Sequence, residues 1–136
     1  MRCLSLVSGI ALAACSQSPA KDSPLPLRFT LKCGAPTLTG PQSPSGAEKG
    51  FNVIIDRTAN TFSMPWWNKR PLPIKKIEPN EITLMNAHVD RGIDNNPEDR
   101  RISFDLRTHT LHFYEAYSAF VPMLTSFSSH CEIADA

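Results

Sequence analysis

Between Phe29 and Phe113 apolar residues keep returning at every second position, and that spacing limits the fold of this 136-residue chain more than any other feature. Side chains of an extended strand alternate between two faces, so a period of two describes a ribbon with one face to bury; a helix would need apolar residues three and four apart. Phe29, Leu31 and Cys33 share one face of a first strand, with Arg28, Thr30 and Lys32 on the other. Phe51, Val53 and Ile55 repeat the pattern. Asp56-Arg57-Thr58-Ala59-Asn60 supplies polar turn formers, and Thr61, Phe62 and Met64 return as the partner strand of a hairpin. Ile82 and Leu84 mark a middle strand, preceded by a short one around Ile74 and Ile77. After the turn-rich Asp90 to Arg100, the residues Ile102, Phe104 and Leu106 alternate with Ser103, Asp105 and Arg107, and a second hairpin turns at Thr108-His109 into Leu111 and Phe113. The last strand centres on His130-Cys131-Glu132-Ile133.

The two hairpins echo each other. Ile55 to Phe62 resembles Asp105 to Leu111 when Arg57-Thr58 is laid on Arg107-Thr108, although the match is short and polar, β-branched turns recur for chemical reasons alone. A stretch rich in Pro, Gly and Ser from Pro36 to Gly50 reads as a long surface loop or partly disordered crossing between the first two strands.

The N-terminus follows a different grammar. Met1 to Ala14 carries one positive charge, then an apolar run, then small residues, which is the layout of a secretory signal. Its apolar run of roughly nine residues, Leu4 to Leu12, falls short of the ~20 that span a bilayer as a helix. Leu12-Ala13-Ala14-Cys15 resembles the lipobox of bacterial lipoproteins, which implies cleavage before Cys15 and acylation of its thiol with chains such as palmitate. Cysteine parity agrees: without Cys3, which lies in the signal, Cys15, Cys33 and Cys131 form an odd set, and lipid on Cys15 leaves one pair for a disulfide. The expected organisation is a signal peptide at 1–14, a Ser/Pro-rich tether at 15–27 and a single β-rich domain at 28–136.

A Cys33–Cys131 bond would join the first strand to the last and hold the two ends of the sheet side by side, removing exposed sheet edges. The expected fold is therefore mainly β: an antiparallel meander of about six to eight strands closed into a small barrel or two-layer sandwich. This layout is similar to a broad group of small bacterial secreted proteins and lipoproteins with a cysteine in the first strand, an Asp-containing hairpin, a second hairpin with an Arg-Thr turn and a closing cysteine. The match spans roughly Phe29 to Ile133, with His109 standing where a turn glycine is expected. It implies a fold and a compartment and transfers no functional residues.

Strong catalytic signatures are missing from the sequence: there is no Gly-x-Ser-x-Gly elbow, His-Glu-x-x-His pair or phosphate-binding glycine loop. Neither catalytic residues nor a cofactor are expected. His88, His109, His112 and His130 lack recognised ligand spacing, and the Asp/Asn-rich run from His88 to Asp99 departs from a calcium-loop pattern at Gly92, so no metal is expected. Once Arg2 leaves with the signal, cations and anions balance at 13 each, which gives no electrostatic reason for nucleic acid to bind. The candidate contact site is Trp66-Trp67-Asn68-Lys69-Arg70, because neighbouring tryptophans on an extended segment cannot both easily face inward. Trp66, Trp67, Lys69 and Arg70 together have the composition of a protein contact, a glycan-stacking site or a membrane-interface anchor; the alternative is that one Trp plugs the end of the barrel while the other lies against the loop.

These readings favour a monomeric, non-catalytic lipoprotein of the bacterial envelope. Lipid on Cys15 would hold it to a membrane, on the periplasmic face of the outer membrane or the cell surface rather than the inner membrane, where it would bind an envelope protein or glycan. A lipocalin-like carrier is the second reading, opposed by Phe29, Phe51, Phe104 and Phe113, which would fill a small barrel. A hydrolase using Asp90, Asp94 or His88 is the third.

Overall fold

The computed structural model describes residues 25–90, 97–118 and 123–135. The signal, Cys15, most of the tether and Asp94 lie outside them. Ten strands follow in order: β1 (Arg28–Cys33), β2 (Thr37–Leu38), β3 (Phe51–Asp56), β4 (Thr61–Met64), β5 (Asn68–Pro73), β6 (Lys76–Ile77), β7 (Glu81–Val89), β8 (Glu98–Asp105), β9 (Thr110–Tyr117) and β10 (Met123–Asp135). The protein is mainly β, and the described residues contain no helix. Every pairing is antiparallel, in the order β5-β4-β3-β1-β10-β9-β8-β7-β6, with β2 beside β10.

This sheet curls into a half-barrel with its apolar face inside. Phe29, Leu31, Val53, Ile55, Phe62, Ile82, Leu84, Phe104 and Leu111 are at most 1% exposed, and they occupy the phase that alternation assigns to the inward face. Cys33 and Cys131 lie directly opposite each other on β1 and β10 and form a disulfide. Ser129, one of the few buried polar residues, donates its hydroxyl to the Gly34 carbonyl at 2.6 Å, which removes the cost of burying it.

The topology departs from a single meander. First and last strands are neighbours, as expected, but their pair sits in the middle of the sheet, and the seam falls between β5 and β7. Ile74 N–H donates to Asn60 O on the β4 side, so by alternation the backbone nitrogens of residues 71 and 73 face the seam. Both are prolines and have no N–H to give. Lys75, the next residue of that phase, does have one, and it donates to Thr83 O on β7. The barrel thus closes where the prolines end and stays open above them.

Two units of like construction make up the sheet, β1-β3-β4-β5 and β7-β8-β9-β10. In the first, Asp56 closes the β3–β4 hairpin by accepting from Ala59 N–H; in the second, Asp105 closes the β8–β9 hairpin by accepting from Arg107 and Thr108 N–H. Residues just past each aspartate also correspond. Arg57 N–H reaches Leu27 O and Leu106 N–H reaches Asn80 O, while Asn60 O and His109 O accept from Ile74 and Cys131. The structural alignment sets Asp56 on Asp105, one residue away from the Arg-Thr match seen in the sequence. Leu106 accordingly sits in the turn and not in the strand.

The Pro/Gly/Ser crossing is docked. Residues 37–42 run along β10, with Thr39 and Gln42 N–H donating to Ser126 and Leu124 carbonyls, and Ala47 is fully buried. It returns to β3 through Gly50, where a φ of +123° and the Cys33 carbonyl oxygen, which an added Cβ would meet at 2.7 Å, leave no room for a side chain.

Candidate functional site

Strand directions define two poles. Leu25, where the described chain begins, is held at one of them by Arg57 Nη1, which donates to its carbonyl at 2.7 Å beside the β3–β4 turn. At the other pole lie the ends of the longer strands, with Val89 opposite Glu98, Glu98 opposite Tyr117, and Tyr117 opposite Met123.

Near this second pole the inward face changes character. Following β8 back from Phe104 and Ile102 in steps of two leads to Arg100 and Glu98; following β9 on from Leu111 and Phe113 leads to Glu115 and Tyr117. Arg100 sits opposite Glu115 in the register. Its Nε donates to Glu115 Oε2 at 3.1 Å and its Nη2 to Glu98 Oε1 at 3.0 Å. The carboxylate side chains are only 10% and 12% exposed, against 36% for the guanidinium between them. Among the described residues, the Arg100 guanidinium thus bridges two shielded carboxylates. Burial, followed by the hydrogen bond to Glu115, pushes the Tyr117 hydroxyl above its ordinary value of 10.0.

The tryptophans cap this cluster. Both are half-buried, so neither is the exposed platform expected from an extended segment. They occupy the tight turn between β4 and β5, where strict alternation does not apply. Trp66 plugs the core, with its ring 5.7 Å from Phe51, 5.4 Å from Phe113 and 6.1 Å from Phe127. Its Nε1 is buried and has no hydrogen-bond partner among the described residues. Trp67 stands edge-on to Phe113 and donates Nε1 to Glu115 Oε2 at 3.2 Å. Lys69 and Arg70 follow on β5 with exposed side chains. The structure therefore joins Trp67 to a set of residues the sequence reading had not singled out, Glu98, Arg100, Glu115 and Tyr117. Their signal was present: charged residues continue the inward phase of β8 and β9 beyond the last buried apolar pair.

The histidines do not converge. His109 stacks on His130 with ring centroids 6.1 Å apart, and His112 is exposed on the outer face of β9. His88 lies at the far pole, also exposed, with Nδ1 2.6 Å from Asp99 Oδ1 and Nε2 2.7 Å from Asp90 Oδ1. The hydrogen bond to Asp99, then that to Asp90, raise its pKa above the ordinary 6.5. Both ring nitrogens are occupied by carboxylates, which leaves neither free to serve a nucleophile. Among the described residues, no group of three or more His, Cys, Asp or Glu side chains is placed to hold a metal ion. The outer face of β8–β10 carries an open depression of about 390 Å³, where Arg101 lies 4.2 Å over the Tyr114 ring beside Ser103, Ser126 and Ser128.

No family model, curated protein or solved structure matches this chain.

Proposed function

We propose that the protein is a non-catalytic binding module of the bacterial envelope, lipid-anchored through Cys15, whose working end is the mouth formed by Trp67, Glu98, Arg100, Glu115 and Tyr117. One observation carries this reading: the described chain begins at the pole opposite that mouth. A membrane anchor on the N-terminal side therefore points the mouth outward. Aromatic rings beside paired carboxylates and a guanidinium form a polar, partly desolvated surface suited to an envelope glycan or to a polar protein segment. The exposed Lys69 and Arg70 flank it.

A carrier role has less support, since Phe29, Phe51, Phe104 and Phe113 are buried and, with Phe62 and Phe127, fill the space a ligand would need. Two experiments test the proposal. Radiolabelled palmitate should enter the expressed chain and fail to enter Cys15→Ser; equal labelling of both removes the anchor. Pull-down from envelope extract should recover one partner with the parent chain and lose it with Trp67→Ala or Glu115→Gln, whereas a partner indifferent to both changes removes the mouth.

A further inference from the structure

Sheet edges expose unpaired backbone donors and acceptors, and proteins ordinarily guard them with proline, lysine, brevity or a covering segment. Three edges of this protein are guarded. Strand β5 carries Lys69, Arg70, Pro71 and Pro73, with the prolines in the phase that faces the seam; β2 and β6 are two residues each. The fourth edge differs. Among the described residues, β6 covers β7 only at Ile82 and Thr83, so Met85–Val89 has β8 on one side and no described strand on the other. That stretch, Met-Asn-Ala-His-Val, contains neither proline nor lysine, and Asn86, Ala87, His88 and Val89 are all exposed.

We infer that the Met85–Val89 edge of β7 is an interaction surface for a second copy of this chain, pairing antiparallel with its own counterpart about Ala87. The sequence of the edge is its own complement. Antiparallel pairing centred on Ala87 sets Ala87 against Ala87, Asn86 against His88, and Met85 against Val89 of the other copy. Residues directly opposite share a face. Met85, Ala87 and Val89 lie on the face of Ile102, Arg100 and Glu98, their partners in β8, so the new pairs on the inner side are apolar; those on the outer side are polar. No like charges meet, and the smallest side chain stands at the two-fold axis, where the strands approach most closely. A shift by one residue would set Met85 against His88 and mix the two faces, so one-residue slips are disfavoured.

Ala87 is near the free end of β7. Five residues a side bury far less than the ~1,200–2,000 Å² of a standard stable interface, so the association is weak and depends on concentration. This inference does not depend on the anchor or on the mouth.

Sedimentation of the full chain should show a mass rising from one copy toward two between about 10 µM and about 1 mM, the range in which a small interface of this kind is half-occupied. Val89→Lys, which changes an exposed side chain and sets a cation against Met85, should weaken the association at least tenfold. Ala87→Cys should form an intermolecular disulfide at least tenfold faster than Thr108→Cys, a similarly exposed control in the opposite turn on the same cysteine background. A single-copy mass throughout that range, an unchanged association in Val89→Lys, or equal crosslinking of the two cysteine variants would each overturn the inference.

Discussion

Asn60 and His109 hold the same place in two hairpins: both have left-handed backbone, φ 58° and 57°, and each carbonyl accepts from a residue beyond its hairpin, Asn60 O from Ile74 N–H just past β5 and His109 O from Cys131 N–H in β10. The left-handed region is crowded for any residue with a Cβ, and asparagine tolerates it better than most. His109 is therefore the residue whose backbone a glycine would relax. It also explains why a glycine is the natural expectation at that turn.

His109→Gly should stabilise the fold by about 0.5 kcal/mol, the relief of the left-handed conformation less the loss of ring contacts to Phe104 and His130. Asn60→Val should destabilise it by about 1–2 kcal/mol. Urea denaturation of the two variants beside the parent checks both signs, and a loss of stability in His109→Gly would show that the ring contacts outweigh the backbone term.

Cys33 and Cys131 close a loop with a sequence separation of 98. Constraining an unfolded chain over so long a loop contributes up to ~4.7 kcal/mol, so the Cys33→Ser, Cys131→Ser double variant should lose about 3–4 kcal/mol. Guanidinium denaturation of the oxidised parent and the variant measures the difference; coincident curves would mean that the direct β1–β10 pairing suffices without the bond.

Arg100 bridges two shielded carboxylates, so its removal takes the guanidinium away from both. Arg100→Leu should cost about 2–3 kcal/mol at neutral pH, below the range for a fully buried pair because the guanidinium is partly exposed. Thermal melts of the variant beside the parent measure the loss, and an unchanged midpoint would show that the guanidinium contributes nothing to stability.

His88 should titrate above its ordinary 6.5, because Asp99 and then Asp90 stabilise the imidazolium. A raised folded-state value means that the stabilisation is fully present below pH 6.5 and is lost as pH rises through the folded value. NMR titration of the His88 ring should give a midpoint above 6.5, lowered more by Asp99→Asn than by Asp90→Asn. A midpoint unmoved by Asp99→Asn would dissociate the ring from that carboxylate.

Alternation made β1, β3, β8 and β9 legible, because in each a polar face and a buried face trade places residue by residue. It could not reveal β5, where Asn-Lys-Arg-Pro-Leu-Pro buries almost nothing and pairs only on its β4 side. Nor could it extend β7 through Asn86, Ala87 and His88, whose side chains are all exposed, so that burial leaves no period to read. The same limit hid the mouth. Arg100 and Glu115 are in phase with the core, but the sequence marks their charge and not the contact between them, which depends on the register of β8 and β9. The Trp66-Trp67 pair was visible, yet its placement follows from a turn that packs across the sheet onto Phe113.

Phe29 stands opposite Asp135, so the first and last of the described strands meet at adjacent points of one ladder. The order in which its strands are synthesised is then nearly arbitrary. A short linker across that gap, with new termini cut at Pro79-Asn80, would give a circular permutant in which β7 to β10 precede β1 to β6, so that the β1–β10 pair becomes local in sequence and the β6–β7 pair long-range.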